Sequence, residues 1–176
     1  MTRPQSNPLA GWRRKAATLL FRIPLVQRRW TRRYRSVTSG DVPWTPLRQP
    51  LSRCRVALVT TAGVHLASDR PFDMSDPRGD PSYRVVPADT PAADLTITHD
   101  YYDHRDADRD INVVFPIDGL RRLQGEHRIG AAAPRHYSLM GHIEEPHLGR
   151  LIHETAPELA GRLREEEVDA VLFTPA

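Results

Sequence analysis

The chain of 176 residues contains a single cysteine, Cys54. One thiol cannot close an internal disulfide, which excludes a small secreted scaffold held by bridges. No run of about eighteen apolar residues occurs, so no segment reads as a membrane-spanning helix. The nucleophile elbow GxSxG, the zinc signature HExxH and the dinucleotide fingerprint GxGxxG are all missing. Acidic residues are scarce in one place. Residues 1–55 hold thirteen Lys and Arg against Asp41 alone, a charge of +12. Residues 56–176 hold twelve against twenty-one acids, a charge of −9, which brings the whole to +3. This split describes a basic arm attached to an acidic body. A hydrophobic content of 39% and a charged content of 27% fit one globular domain with a real core.

Three segments follow. Residues 1–40 form the arm. Within it, Trp12, Ala16, Leu19, Leu20, Ile23, Val26, Trp30 and Tyr34 recur every three or four positions, with arginines on the opposite face, which predicts an amphipathic helix over 9–35. Pro24 should kink or split it. Arg13 and Arg14 ahead of an apolar stretch faintly suggest a twin-arginine leader. Arg22 and Pro24 break that stretch and no cleavage site follows, so the protein reads as cytoplasmic. The arm suits an acidic partner or a membrane surface better than nucleic acid, because its aromatics lie on the apolar face. Residues 41–54 are a proline-rich linker, and 55–176 are the body.

The body alternates strands and helices. The run Arg55-Val-Ala-Leu-Val-Thr-Thr61 reads as a buried parallel strand. Residues 67–92, rich in Asp, Pro, Ser and Gly, read as a long functional loop. Strands are expected at 95–98, 111–115, 131–134 and 168–174. Asp118 is expected to cap a short helix that Gly130 ends, and 135–142 reads as a polar loop. Over 146–167, Thr155-Ala-Pro-Glu158 has the form of a capping box, which predicts two helices or one kinked helix. The expected class is α/β, a mostly parallel sheet with flanking helices of flavodoxin or Rossmann type, incomplete, behind a basic helical arm.

The densest chemistry is in 99–110, where two histidines, five carboxylates and two tyrosines crowd together. His99, Asp100 and His104 are the candidate catalytic residues, as a general base or as groups that orient a substrate, because sites in open α/β sheets form at strand ends. The spacing from His99 to His104 also admits a metal-dependent hydrolase, although no third ligand stands at a recognised spacing. His136, Ser138 and His142 give a weaker hydrolase reading. Cys54 precedes a strand and reads as an inert thiol. No residue is assigned to a cofactor or a metal.

The stretches VALVTTAGVHL, PFDMSDPRGDPSYRVVPADT, DLTITHDYYDHRDADRDINVVFPIDGLRRL, APRHYSLMGHI and VDAVLFTP resemble the glycine/sarcosine/betaine/D-proline reductase selenoprotein B family, and most of all its D-proline branch. The resemblance covers about 42–176 and leaves out the arm. It implies a subunit of a selenol- or thiol-dependent reductase that cleaves carbon–nitrogen bonds. It also implies other reductase subunits, one of them pyruvoyl-bearing, a thiol electron donor, and a small amine or amino-acid substrate. In the family a selenocysteine, with a cysteine three positions on, follows the motif that reads VLFTP here. Neither is present. The expectation is therefore a UGA codon, decoded as selenocysteine, directly after Ala176, and a 176-residue product that is inactive by itself. The alternative is a non-catalytic α/β binding or interaction module.

Overall fold

A computed structural model describes residues 24–32 and 45–175. The chain divides into two units, one of Leu47–His99 with His104–Ala176 and one of Met1–Pro46 with Asp100–Asp103. In the smaller unit, helix α1 spans Pro24–Thr31. The rest of the expected 9–35 helix lies outside the described residues. No helix among the described residues is long and apolar enough to cross a membrane.

The larger unit is built around β1 (Arg55–Thr60), whose side chains are buried from Val56 onward. It pairs in parallel with β5 (Ala131–Ala132), β6 (Arg135–Ser138) and β7 (Ala170–Thr174). Hydrogen bonds sort these partners by side. The carbonyls of Cys54, Val56 and Thr60 accept from Ala131, Ala133 and Leu139, whereas the Arg55 carbonyl and the Thr61 amide face Asp169 and Thr174. Thus β5 and β6 continue one another along one edge of β1, and β7 takes the other. Strand β3 (Arg84–Pro87) adds antiparallel to β6. A separate antiparallel pair joins β2 (Val64–Leu66) to β4 (Leu95–Ile97). The fold is α/β with a mostly parallel sheet, as the alternation of elements implies.

Helices cover both faces of β1 and β6, whereas Val171, Leu172 and Phe173 of β7 are exposed. On one face Val59, Tyr137 and Leu139 pack with Leu159 of α5 (Ala156–Glu165). On the other, the buried Phe115 stands edge-on to His136, near Ile117 and Leu120 of α3 (Ile117–Gly125). At the lower end of the sheet the buried Glu166 accepts from the Tyr137 hydroxyl at 2.9 Å and from the Arg135 guanidinium. Burial, followed by this bond, pushes the Tyr137 phenol up to about 12.

Several expectations are corrected. Residues 111–115 are not a strand: Ile111–Val113 is a 3-10 turn, with the Asp110 carboxylate accepting from the Asn112 N–H at 3.0 Å. Ile111, Val114 and Phe115 are buried, a spacing of three and four that belongs to a turn. Residues 135–142 are not simply a polar loop, since 135–138 form β6, where His136, Tyr137 and Ser138 are all buried. The 67–92 loop contains β3. Over 146–167 the expected interrupted helix is found, α4 (His147–Arg150) running through a π turn at Leu151–Thr155 into α5, but without the capping box. That wider turn absorbs the missing N–H of Pro157. The Thr155 hydroxyl donates to the Pro81 carbonyl at 2.9 Å instead of capping a helix. Helix α3, in turn, is capped by the Asn112 side chain, whose oxygen accepts from the Asp118 N–H at 3.0 Å. It ends before Gly130, and Gly130 instead packs so closely on Arg53 that a Cβ would lie 2.4 Å from the Arg53 carbonyl carbon.

The polar loop keeps its order through three short Asx turns. Asp73, Asp76 and Asp80 accept from the backbone N–H groups of Ser75, Arg78 and Ser82. The Arg78 amide, followed by the His147 ring, holds the Asp76 carboxyl down at about 2. Arg84 ties the loop to β3 by donating to the carbonyls of Arg70 and Pro71, and its guanidinium lies 4.2 Å above the Phe72 ring.

His136 generates a prediction. Where β5 passes into β6 the register slips by two residues, and the His136 Nδ1 fills the gap by accepting the Leu58 N–H at 3.2 Å. Burial, aided by Arg121, lowers its pKa from 6.5 to about 4. In this interval the unfolded chain binds a proton that the folded chain refuses, so stability is complete above 6.5 and falls with pH toward 4. From about pH 7 to about pH 5 the loss should be on the order of 2 kcal/mol in urea titrations. The variant His136→Gln should show a flatter dependence over that interval.

Candidate active site

Three parallel strands end level with one another. Thr60 is in register with both Ser138 and Thr174, which places three hydroxyl residues in a row on one face at the carboxyl edge of the sheet. The Thr174 hydroxyl donates to the Val114 carbonyl at 2.7 Å. The Thr60 hydroxyl lies 3.1 Å from both the Val114 and Thr174 carbonyls and accepts from the Ala62 N–H at 3.2 Å. This knot fastens the 111–115 turn and the end of β7 onto β1. Ser138 is fully buried, and its hydroxyl has no hydrogen-bond partner among the described residues.

His99 reaches the same edge. Its Nε2 accepts from the Gly141 N–H at 3.0 Å, so that nitrogen is bare and the ring proton sits on Nδ1. The ring is buried. Gly63 makes the approach possible, with φ +68 and no side chain: a Cβ there would lie 2.7 Å from the Thr98 carbonyl and 2.9 Å from the His99 Cβ. Beside it, the His65 Nδ1 donates to the Leu66 carbonyl at 2.7 Å and its Nε2 accepts from the Thr98 hydroxyl at 2.8 Å. His104 opens helix α2 (Arg105–Arg109), where its Nδ1 meets the Asp108 carboxylate at 2.8 Å. Asp100 belongs to the smaller unit.

A cleft of about 360 Å³ opens between β4, α2 and the 111–113 turn, lined among others by Thr96, Asp108, Asp110, Asn112 and Asp118. Its carboxylates are tied to His104, Asn112 and Arg121. Among the described residues no three His, Cys, Asp or Glu side chains converge as a metal site requires. Cys54 is buried at the opposite end of β1, and burial, with Asp169 nearby, raises its thiol pKa. His136 cannot serve Ser138 as a base, because its Nδ1 is occupied by the Leu58 N–H.

Of the hydroxyl row only Ser138 is singled out by the sequence, and for another role; Thr60 and Thr174 are not. Their only signal is their position as last residues of apolar runs. If the knot holds the edge, Thr60→Val, which keeps the shape and deletes the hydroxyl, should cost about 1–3 kcal/mol in chemical denaturation. It should also speed amide exchange at Ala62. Thr60→Ser should retain most of the stability, and equal losses in both variants would point to packing instead.

Comparison with known proteins gives the family. The model of glycine/sarcosine/betaine reductase selenoprotein B matches residues 10–176. The D-proline reductase subunit gamma of Acetoanaerobium sticklandii is 44% identical over 131 residues, which is 74% of this chain and 52% of that protein. The glycine reductase complex component B subunit gamma of Symbiobacterium thermophilum is 30% identical over 148 residues, 82% of this chain and 34% of that protein. The chain therefore spans about half of the first relative and a third of the second. No solved structure matches it. The match takes in most of the basic arm, which the resemblance read from the sequence left out, and with nearly its whole length matched the chain belongs to the glycine/sarcosine/betaine reductase selenoprotein B family.

Proposed function

We propose that this chain is part of a reductase subunit that works through a selenol or thiol carried just beyond β7. Its reaction is the reductive cleavage of a carbon–nitrogen bond in a small amine or amino acid. The observation that carries this reading is the level end of β1, β6 and β7 at Thr60, Ser138 and Thr174. Ligand chemistry in open α/β sheets belongs at such an edge. A nucleophile following Ala176 would emerge at this edge of the sheet, next to the end of β1 at Thr60. The N–H groups of a helix after the strand would favour its anionic form.

The names of the relatives support the same reading, since both are subunits of D-proline or glycine reductases. The partners implied are further reductase subunits, one of which activates the amine, and a thiol donor that supplies the two electrons. The selenolate attacks carbon and is later freed when a thiolate attacks the selenium, the carbon taking the selenium–carbon pair with a proton and the thiol donor reducing the selenenyl sulfide that results. The amine leaves with the bonding pair and takes a proton. His104, held by Asp108, and Asp100 are the groups in this chain proposed to orient the substrate or move that proton. His99 is proposed to set the position of the Gly141 loop, because its bare nitrogen is already bonded. The acidic cleft has the sign that an ammonium group requires.

The test uses the native locus. The codon after that of Ala176 should be UGA in an open frame. The protein purified from its own cells should contain selenium and co-purify with reductase subunits. In that complex, His104→Ala should lower turnover on order of 10²-fold without loss of subunits. A mature product ending at Ala176, free of selenium and of reductase partners, would overturn the proposal and leave an interaction module.

A further inference from the structure

Burial does little to hold the end of β7. Val171, Leu172 and Phe173 are 43%, 45% and 56% exposed, so packing fixes this strand only weakly. Hydrogen bonds gather at its last residue instead. The Thr174 carbonyl accepts from the Thr61 N–H at 3.1 Å and lies 3.1 Å from the Thr60 hydroxyl. The Thr174 hydroxyl donates to the Val114 carbonyl at 2.7 Å. The contacts of the carbonyl tie Thr174 to β1, and the bond of the hydroxyl ties it to the 111–115 turn. Pro175 comes next; its ring fixes its own φ and keeps Thr174 extended. The chain therefore leaves the sheet from a residue held on two sides, through a peptide with little freedom. The turn in question also forms part of the cleft, since Ile111 and Asn112, three and two positions before Val114, line it.

We infer that Thr174 is a positioning residue, whose hydroxyl holds the mount of the selenol or thiol against the turn that lines the cleft. The inference rests on the proposed function for the nucleophile itself and adds what aims it. Pairing of β7 with β1 runs through the backbone and needs no hydroxyl at this position. What the hydroxyl adds is a link between the strand end and the cleft wall. In a displacement the attacking atom must approach the carbon to about 3–3.5 Å, and a misplacement of about 1 Å costs on the order of 10²-fold. A strand end free to fray by that much would lose turnover while the complex still bound its substrate.

The test uses the reductase complex purified from its own cells. Thr174→Val keeps the shape and deletes the hydroxyl, Thr174→Ser keeps the hydroxyl, and Thr174→Ala repeats the deletion in case valine hinders assembly. Hydrogen exchange over 172–174 should quicken in the valine variant. Alkylation of the reduced complex by iodoacetamide should stay within about twofold of the unmutated rate, because a small free reagent needs no aim. The kcat should fall about 10- to 10²-fold, with KM for the amine within about twofold. Thr174→Ser should keep kcat within about threefold. An unchanged kcat in the valine variant, a serine variant as slow as valine, a rise in KM alone, or a loss of alkylation in step with kcat would each overturn the inference. A complex with no selenol or thiol to alkylate beyond residue 176 would overturn the proposed function and this inference with it, and that outcome shows in the unmutated protein before any variant is made.

Discussion

The body depends on one constraint: both edges of β1 are occupied, and by partners that arrive from far along the chain, at 131–138 on one edge and 170–174 on the other. The even-numbered carbonyls bind β5 and β6, and the odd-numbered groups bind the segment that ends in β7. Parallel pairing of this kind needs a crossover between strands, and the helices that supply it cover the two faces of β1 but leave Val171, Leu172 and Phe173 of β7 exposed. Where the β6 edge falters, at the two-residue slip, a buried histidine ring replaces the backbone acceptor. A neutral ring suits that place, because a charged one would lose the lone pair that the Leu58 N–H needs and would sit uncompensated against Phe115.

The edge geometry follows from the same strand. Since β6 and β7 align on β1 at Thr60, their last residues come level, and each carries a hydroxyl. Two of these hydroxyls converge with Val114, so a turn that is far away in sequence is pinned at the carboxyl end of the sheet. His99 arrives by another route, through Gly63 and the Gly141 amide. The site is thus an accident of register on one side and of a missing Cβ on the other, both enforced by backbone bonds.

Sequence pattern made β1 and β7 legible because each is a short apolar run bounded by turn residues. It failed where one residue's side chain bonds to backbone. Ile111 to Phe115 looks like a strand, but Asp110 and Asn112 offer their own acceptors to the backbone and close a turn first. Residues 135 to 138 look polar, and yet they form a central strand, because Glu166 and Leu58 provide buried partners for Tyr137 and His136. Neither partner lies within twenty residues, so no local window contains the reason. The aspartate-rich loop was legible as ordered in outline only: its Asx turns are local, but Arg84 and His147, which fix it, are not.

The candidate residues divide for the same cause. His99, Asp100 and His104 were chosen as one cluster on sequence proximity, yet six positions of irregular chain leave neighbours free to separate. His99 and His104 fall in the body and Asp100 in the other unit. A bare Nε2 that already accepts a backbone N–H is a poor general base, since taking a proton there breaks the bond that orders the loop. His104 has the opposite character. It is partly exposed at a helix start, with its Nδ1 on a carboxylate that fixes the ring. Of the two histidines in this unit, the one held by Gly141 therefore orders a loop, and the proton transfer proposed for this chain falls to the one held by Asp108.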